Sequence, residues 1–563
     1  MLLSFSMLAA CSTGDSGSTK HASAPGEVGG VWAPTQLTVV TGVPVAVLQS
    51  AIAKRLTGTR PADVGEEAWQ HAQRLYKRFG QTPLWLVDDG LAKDRAGALT
   101  NAVLHASEDG LKIDEYPIAA LANALVALRR TPTPTAEQYA DADVLLTATY
   151  AAIGEDYLVG QVDPRSIAQS WHIDPKDENV DSALVRTLSK LPLDKSIAAM
   201  RPQNEEYVSL QKELIRFRGI VDKGGWAPIP DGKALKRGDT DSPPRLAALQ
   251  ARLAAEGITM GGDSASTTTS GSLYDAGLAA AVAQFQTRHG IAVDSSLGTE
   301  TLNSLNVPAA YRLGQIAANL ERDRWMPRSL GVRYIIVNVP AFHLDAFDNG
   351  EKVLGMKVIV GQEYADKATP VFADSMETVV FRPYWNITPG IQAKEVGPKI
   401  ATDPGYMGRE NLEYYKDGGV TRIRQKPGGK NSLGLVKFLF PNDFNIYLHD
   451  TPGKELFDKD VRAFSHGCIR VEKPVDLAAW VLGWDASKVQ ELEQGKDNTS
   501  VRLSKKLPVY IVYGTAYMRD GQLFFGNDLY HRDDKLVKAM ADGALPSARA
   551  VQALEALKRI ATG

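Results

Sequence analysis

The chain has 563 residues, 44% hydrophobic and 23% charged, with a formal net charge of −3 at pH 7. A chain this long is expected to divide into several domains, because single cores stop growing at roughly 250–300 residues. The charge balance offers no basic face for nucleic acid, and none of the nine histidines sits in a His/Cys/Asp cluster with metal-ligand spacing, so neither a nucleic-acid partner nor a metal or other cofactor is expected.

Residues 1–10 are an apolar run ending in Leu8-Ala9-Ala10 ahead of Cys11, which reads as a secretory signal peptide. Residues 11–60 start with a Ser/Thr/Gly/Ala/Pro-rich stretch with little to bury and are expected to form a flexible tether. No stretch reaches the length of about eighteen apolar residues that a transmembrane helix needs.

The region 61–235 is predicted helical. Ala68, His71, Ala72, Leu75 and Tyr76 recur at helical spacing, as do Leu121, Leu125 and Leu128, and Asp141 opens a further amphipathic helix. His71, His105 and His172 belong to no catalytic constellation and are read as packing or surface residues. Gly224–Ser242 is a Gly/Pro/Lys-rich linker. A compact helical module follows over 240–308, with one stripe from Leu246, Leu249 and Leu253 and another from Leu278, Val282 and Phe285; Gly261–Ser272 is a Gly/Ser/Thr insertion within it.

From 330 to 515 the period changes to short β-branched runs bounded by turns, such as Tyr334–Val339, Met356–Val360, Thr378–Phe381, Val436–Phe440, Asn445–His449 and Val509–Tyr513. They predict a sandwich or barrel-like β domain. Residues 386–435 interrupt it without an apolar strand pattern and are read as a mobile lid over the site. Residues 516–563 close the chain with a hairpin and a helix and hold no site candidate. The fold expected is multidomain α+β: an all-α scaffold, a three-helix module and a mainly β domain carrying a lid insertion.

The candidate site is Phe464-Ser465-His466-Gly467-Cys468-Ile469-Arg470. Cys468 is one of two cysteines, and lipidation of the other, Cys11, would leave it the sole free thiol. A cysteine beside His and Gly, with a second His upstream, is a candidate nucleophile; the competing reading is a buried structural cysteine. Two histidines compete to be its base. His466 precedes the thiol by two residues but sits in a tight turn, where backbone N–H groups near Gly467 and Cys468 would serve as an oxyanion hole. His449 ends a strand nineteen residues upstream and is the expected base. Tyr447 and Trp385 are candidates to line the cleft, though aromatic residues at strand ends more often belong to a core.

His449 followed by Ser465-His466-Gly467-Cys468-Ile469-Arg470 resembles the signature of the L,D-transpeptidase catalytic domain, in which many members carry Asn at the position of Arg470. Arg382-Pro383-Tyr384-Trp385-Asn386 also resembles that family. Tyr76–Trp85 and Asp156–Pro164 resemble the helical scaffold of its large periplasmic members. Gln284-Phe285-Gln286 and Gly298…Thr301-Leu302 resemble the three-helix peptidoglycan-binding module, against the alternative of a purely structural bundle. Leu8-Ala9-Ala10-Cys11 resembles a lipoprotein lipobox, implying lipidation at Cys11 and, with Ser12 after it, an outer-membrane anchor facing the periplasm. The resemblance implies that Cys468 attacks the carbonyl at the L-centre of diaminopimelate in a tetrapeptide stem. D-alanine is released, His449 takes the thiol proton, and an amine of a second stem resolves the thioester into a cross-link. It also implies acylation by carbapenems, with Ser465 supporting the turn or an imidazole and Arg470 pairing with a stem carboxylate. A hydrolase that uses water as acceptor is the alternative.

Overall fold

The computed structural model describes residues 37–562 apart from 169, 174–178, 191, 260–271, 365–366, 497 and 542–546. The Leu8–Cys11 motif, with its expected lipidation, and most of the Gly/Ser/Thr insertion lie outside the described residues.

The helical region is organised around the helix Ala136–Val159, which starts at a capping box: Thr135 Oγ accepts from the Gln138 amide, and the Gln138 side chain accepts from the Thr135 amide. Seventeen of its 24 residues are buried. Helices Glu66–Arg78, Lys93–His105 and Ile118–Arg130 surround it. On its buried face Asp143 accepts from the amides of Leu84 (2.9 Å) and Trp85 (2.8 Å) and from the Tyr76 hydroxyl. The stretch from Tyr76 to Trp85 is therefore the loop that folds around this carboxylate. Burial pushes Asp143 up to about 6, against the pull of those donors.

Residues 37–60 correct the expected tether. They form a short hairpin, Val39–Val40 with Val43–Pro44, and the helix Val45–Thr57. Val45, Leu48, Ile52 and Leu56 recur every three or four residues and are buried, so this segment has an apolar stripe that demands a partner. The last helix, Ala548–Thr562, joins the same core through Ala550, Ala553 and Leu557. By contrast, helix Glu205–Val221 contributes Tyr207, Leu210, Leu214 and Phe217 to the core of the β domain.

The three-helix module consists of Pro243–Ala255, Ala276–Arg288 and Thr299–Leu305 around Leu249, Val282, Phe285 and Leu305. Gln286 is fully buried and ties the turn together: its Nε2 donates to Asp294 (2.8 Å), Thr301 Oγ (3.0 Å) and the Ser296 carbonyl (3.1 Å). The module docks on the hairpin Ala516–Arg519/Gln522–Phe525, with Arg288 donating to the Leu523 carbonyl (3.0 Å) and His289 stacked on Phe525 (5.2 Å).

His289 makes this docking pH-sensitive. Its Nε2–H donates to Glu256 (2.8 Å), and its Nδ1 faces Arg312 Nη2 at 3.2 Å, where only the neutral ring can accept. Burial holds its pKa down at about 4, against ~6.5 in an unfolded chain. The unfolded state therefore binds more protons between these values, and stability is lost as pH falls from about 6.5 to 4. Denaturation midpoints measured across that window should fall in the native protein, and the His289→Gln variant should lack this part of the slope.

In the β domain we number the strands Arg333–Asn338 (β1), His343–Asp348 (β2), Glu351–Gly361 (β3), Val371–Phe381 (β4), Val436–Leu439 (β5), Leu448–His449 (β6), Ala463–Ser465 (β7), Ile469–Val471 (β8) and Thr499–Val512 (β9). Among the described residues one ten-stranded sheet runs β5-β6-β8-β3-β2-β1-β9-β4, and β4 pairs again with β5, closing a barrel. Among the nine numbered strands pairing is antiparallel except at β6–β8, β1–β9 and β7–β3. Ile335, Val337, Leu344, Val358, Val379, Phe438, Leu448, Ile469 and Val509 fill the interior. The tenth strand, Trp171–His172, comes from the helical region and pairs in parallel with the start of β4, so the scaffold is hydrogen-bonded into the barrel.

Residues 385–425 also differ from the sequence expectation. Trp385–Asn386, Leu412–Asp417 and Val420–Gln425 form a three-stranded antiparallel sheet, with Gly418 and Gly419 as its hairpin turn. With the helical turns from Pro389 to Arg409 they enclose a small core of Ile387, Val396, Leu412 and Ile423. The base is pinned by Asn431, whose side chain donates to the Pro383 (3.1 Å) and Lys426 (2.9 Å) carbonyls. The segment is a folded subdomain; its strands are hidden because Leu412–Asp417 and Val420–Gln425 each bury a single apolar residue and Trp385–Asn386 buries none.

Candidate active site

Cys468 sits between β7 and β8, in a turn fixed by its own residues. Ser465 Oγ donates to the Cys468 carbonyl (2.5 Å) and accepts from the Gly467 amide (3.1 Å). Gly467 takes φ +110°, a left-handed conformation that glycine adopts without a Cβ clash, and Ile446 Cδ1 stands 3.1 Å from where a Cβ would be. Its carbonyl accepts from Thr369 Oγ1 (2.9 Å), and Thr369 in turn is held by Tyr530, whose hydroxyl accepts from the Thr369 amide (3.2 Å) and donates to the Gly361 carbonyl (2.7 Å). The C-terminal region read as empty of site residues thus braces the turn that carries Cys468. The Gly467 N–H, expected in an oxyanion hole, is occupied by Ser465 Oγ.

The sheet register gathers the rest. In β6 and β8, Leu448 lies beside Ile469 and His449 beside Arg470; in β5, Lys437 lies opposite His449. Residues two apart share a face, so Lys437, Tyr447, His449, Cys468 and Arg470 occupy one outer face, opposite the packed interior. The partly exposed thiol donates to the Asn445 carbonyl at 3.6 Å. The Tyr447 amide and hydroxyl stabilise its anionic form, while burial pushes the thiol pKa up and Lys437 and Arg470 oppose that rise.

His449 is buried at 4% exposure. Its Nδ1 meets the Asp450 carbonyl at 2.5 Å, and the ring also meets the Leu433 carbonyl. Burial, then the Arg470 and Lys437 charges, hold it neutral with a pKa near 3. Among the described residues no hydrogen bond joins His449 to Cys468. His466 points away from the barrel, with its Nε2 2.6 Å from Glu395 Oε1; Lys367 Nζ reaches the same carboxylate oxygen at 3.5 Å. Glu395 lies in a π-helical turn of the 385–425 subdomain, a local irregularity frequent at functional sites. Its pKa is held low by the His466 bond first. Trp385 packs on the subdomain's own core.

Lys437, Thr369, Glu395 and Tyr530 were not singled out from the sequence. Each reaches the site from a distant segment, and no local motif marks it. Among the described residues no group of three or more His, Cys, Asp or Glu is arranged to hold a metal ion, and no helix is long and apolar enough to cross a membrane.

Comparison with known proteins follows the same division of the chain. Residues 332–511 match the family described as L,D-transpeptidase catalytic domain, residues 70–214 a scaffold domain, and residues 242–305 a family described as "Putative peptidoglycan binding domain". A Haemophilus influenzae protein named "Putative L,D-transpeptidase" is 31% identical over 242 residues, covering 39% of this chain and 48% of that protein; the chain thus spans about half the length of this curated relative. Among solved structures, an L,D-transpeptidase fragment from Xylanimonas cellulosilytica matches at 15% identity and TM-score 0.16, over 50% of this chain and 99% of that one. The Ldtfm–avibactam carbamoyl enzyme matches at 13% identity and TM-score 0.17, over 33% of this chain and 51% of that one.

Proposed function

From the premise that this chain belongs to the L,D-transpeptidase family, with the catalytic domain at residues 332–511 beside a scaffold and a peptidoglycan-binding domain, we propose that it cross-links peptidoglycan between diaminopimelate residues. The observation that carries the reading is Cys468: a partly exposed thiol on a braced turn, flanked by His449, Tyr447, Lys437 and Arg470.

In the proposed cycle, Cys468 Sγ adds to the carbonyl at the L-centre of diaminopimelate in a donor tetrapeptide, and its proton passes to His449. Collapse of the tetrahedral adduct breaks the bond to terminal D-alanine, whose nitrogen takes that proton, and leaves a thioester. The amine of a second stem then attacks and gives a proton to His449; the carbon–sulfur bond breaks, and His449 returns the proton to the departing sulfur, which restores the thiol and the neutral ring. A neutral His449 has the protonation state a general base needs. The carbonyls of Asp450 and Leu433 favour the imidazolium once the proton arrives. The thiol and ring are not hydrogen-bonded in the free protein, and catalytic hydrogen bonds commonly form only with substrate bound.

The 385–425 subdomain acts in this reading as a cover, latched to the nucleophile's turn by Glu395 and His466. The latch needs the carboxylate, whose pKa the His466 bond holds below the usual glutamate value, so it persists through the neutral range and is lost as pH falls through that lowered pKa. Glu395→Gln should lower turnover roughly two- to fivefold, the scale of one exposed charge pair, and speed hydrogen exchange in residues 389–409. The binding domain would hold the enzyme on glycan strands, and a lipid on Cys11, supported by the sequence motif alone, would anchor it at a membrane facing the periplasm, the outer membrane if Ser12 directs sorting.

Incubation with disaccharide tetrapeptides tests the reaction. A product with the mass of two stems minus one D-alanine supports cross-linking. Single stems shortened by one D-alanine would instead make the protein a carboxypeptidase using the same thioester.

A further inference from the structure

We propose that Lys437 is the fixed positive charge that keeps Cys468 reactive, standing in for the imidazolium partner that thiol nucleophiles ordinarily use. The inference rests on the reading of Cys468 as nucleophile and adds the group that activates it.

Three observations meet at this side chain. First, the register sets Lys437 opposite His449, on the face that carries Cys468. Second, its ammonium stands 3.7 Å from the centroid of the Tyr447 ring, the residue whose amide and hydroxyl support the sulfur. A cation over an aromatic face is held by the ring quadrupole and still needs an anion nearby to satisfy its charge. Third, among the described residues no carboxylate pairs with Lys437, although it is half-buried. Lysine in such a setting normally has a counter-ion.

The surrounding groups narrow what that counter-ion is. The charged or titratable side chains around the thiol are Lys437, Tyr447, His449, Arg470 and His466. Across the turn are Glu395 and Lys367, and the Glu395 oxygen is already bonded to His466 at 2.6 Å with Lys367 at 3.5 Å. Among the described residues Arg470 is a second cation with no carboxylate partner, and its Nε is buried without a hydrogen bond. The anion this face can generate is the Cys468 thiolate.

The electrostatics follow. In many cysteine enzymes a thiolate is balanced by a protonated histidine. Here burial keeps His449 neutral down to a pKa near 3, so no imidazolium is present at neutral pH to share the charge. Burial also pushes the thiol up, and Lys437 is the first full charge that opposes it. The reverse holds too: burial lowers the Lys437 pKa, and Cys468 raises it. Lysine supplies the charge and His449 accepts the proton.

Peptide-resolved alkylation of Cys468 by iodoacetamide in the full chain, followed by mass spectrometry from pH 5.5 to 10, reads the thiolate fraction directly. It does so whether or not the protein acts on peptidoglycan, so failure here and failure of the proposed reaction are separable. Lys437→Met should slow alkylation at pH 7 about tenfold, the change that one pH unit in the thiol's titration makes. Lys437→Arg, which keeps the charge, should stay within about twofold of the native profile. Lys437→Gln gives the same comparison should the methionine variant fail to fold. A methionine or glutamine profile that overlays the native one overturns the proposal, and so does an arginine variant shifted as far as the neutral ones.

Discussion

Replacing Cys468 with alanine should abolish the proposed covalent chemistry on peptidoglycan stems while leaving the melting temperature near that of the native protein. The chemical half follows because the account assigns one nucleophile to the site. The structural half follows from the turn: Ser465, Gly467 and Thr369 fix it through backbone atoms and hydroxyls, and the cysteine contributes to the ladder only its carbonyl. The sulfur donates to the Asn445 carbonyl at 3.6 Å and meets the Tyr447 amide and hydroxyl, so its loss frees two donors at a partly exposed position where water can replace it. Mass-spectrometric product analysis beside thermal denaturation reads both halves. Residual turnover at the native rate would remove Cys468 from the mechanism.

The second large effect is at His449. Substitution by alanine should slow acylation by roughly 10²–10⁴-fold, the usual contribution of a positioned general base. His466→Ala should cost only as much as Glu395→Gln, because His466 contacts the covering subdomain and not the sulfur. Single-turnover acylation kinetics of the two variants decide the order. The structure also predicts the shape of the pH dependence. With its pKa near 3, His449 stays an acceptor throughout the neutral range, and the rising limb of the acylation profile belongs to Cys468. If His466→Ala were the more damaging change, the assignment of the base would be reversed.

The site was legible in the sequence where its parts are contiguous. Ser465 to Arg470 form one turn and one strand, so the motif and the geometry coincide, and Tyr447 and His449 follow from one strand at period two. The expected hydrogen bond from Ser465 to a turn amide is there. What the motif hides is competition for the same groups: the Gly467 amide looks free on paper, yet Ser465 Oγ takes it.

Residues that arrive from elsewhere left no local trace. Thr369 binds Gly467 across 98 residues, Glu395 binds His466 across 71, and Tyr530 reaches Gly361 across 169. Lys437 had a partial signal, a polar residue alternating with Val436 and Phe438, but every half-exposed strand shows that pattern.

The helical and β regions divide in the chain as their periodicities indicate. Two misreadings share a cause. The helix Val45–Thr57 carries a four-residue apolar stripe, yet lies after a Gly/Ser/Pro-rich stretch whose composition dominates a broad window. The hairpin Leu412–Gln425 buries Leu412, Ile423 and Gln425, half-buries Glu413, Tyr415, Arg422 and Arg424 and exposes the rest, too little apolar surface for alternation to stand out. In both cases tertiary burial, invisible to composition, decides the fold.

The most direct test of the account is intact-mass spectrometry of the protein mixed with a tetrapeptide donor and quenched with acid within seconds. The expected result is a mass increase equal to the donor minus D-alanine, mapped by peptide analysis to Cys468, absent in Cys468→Ala and slow to appear in His449→Ala. Donor turnover with the adduct on another residue, or an equal adduct in the Cys468→Ala variant, would contradict it.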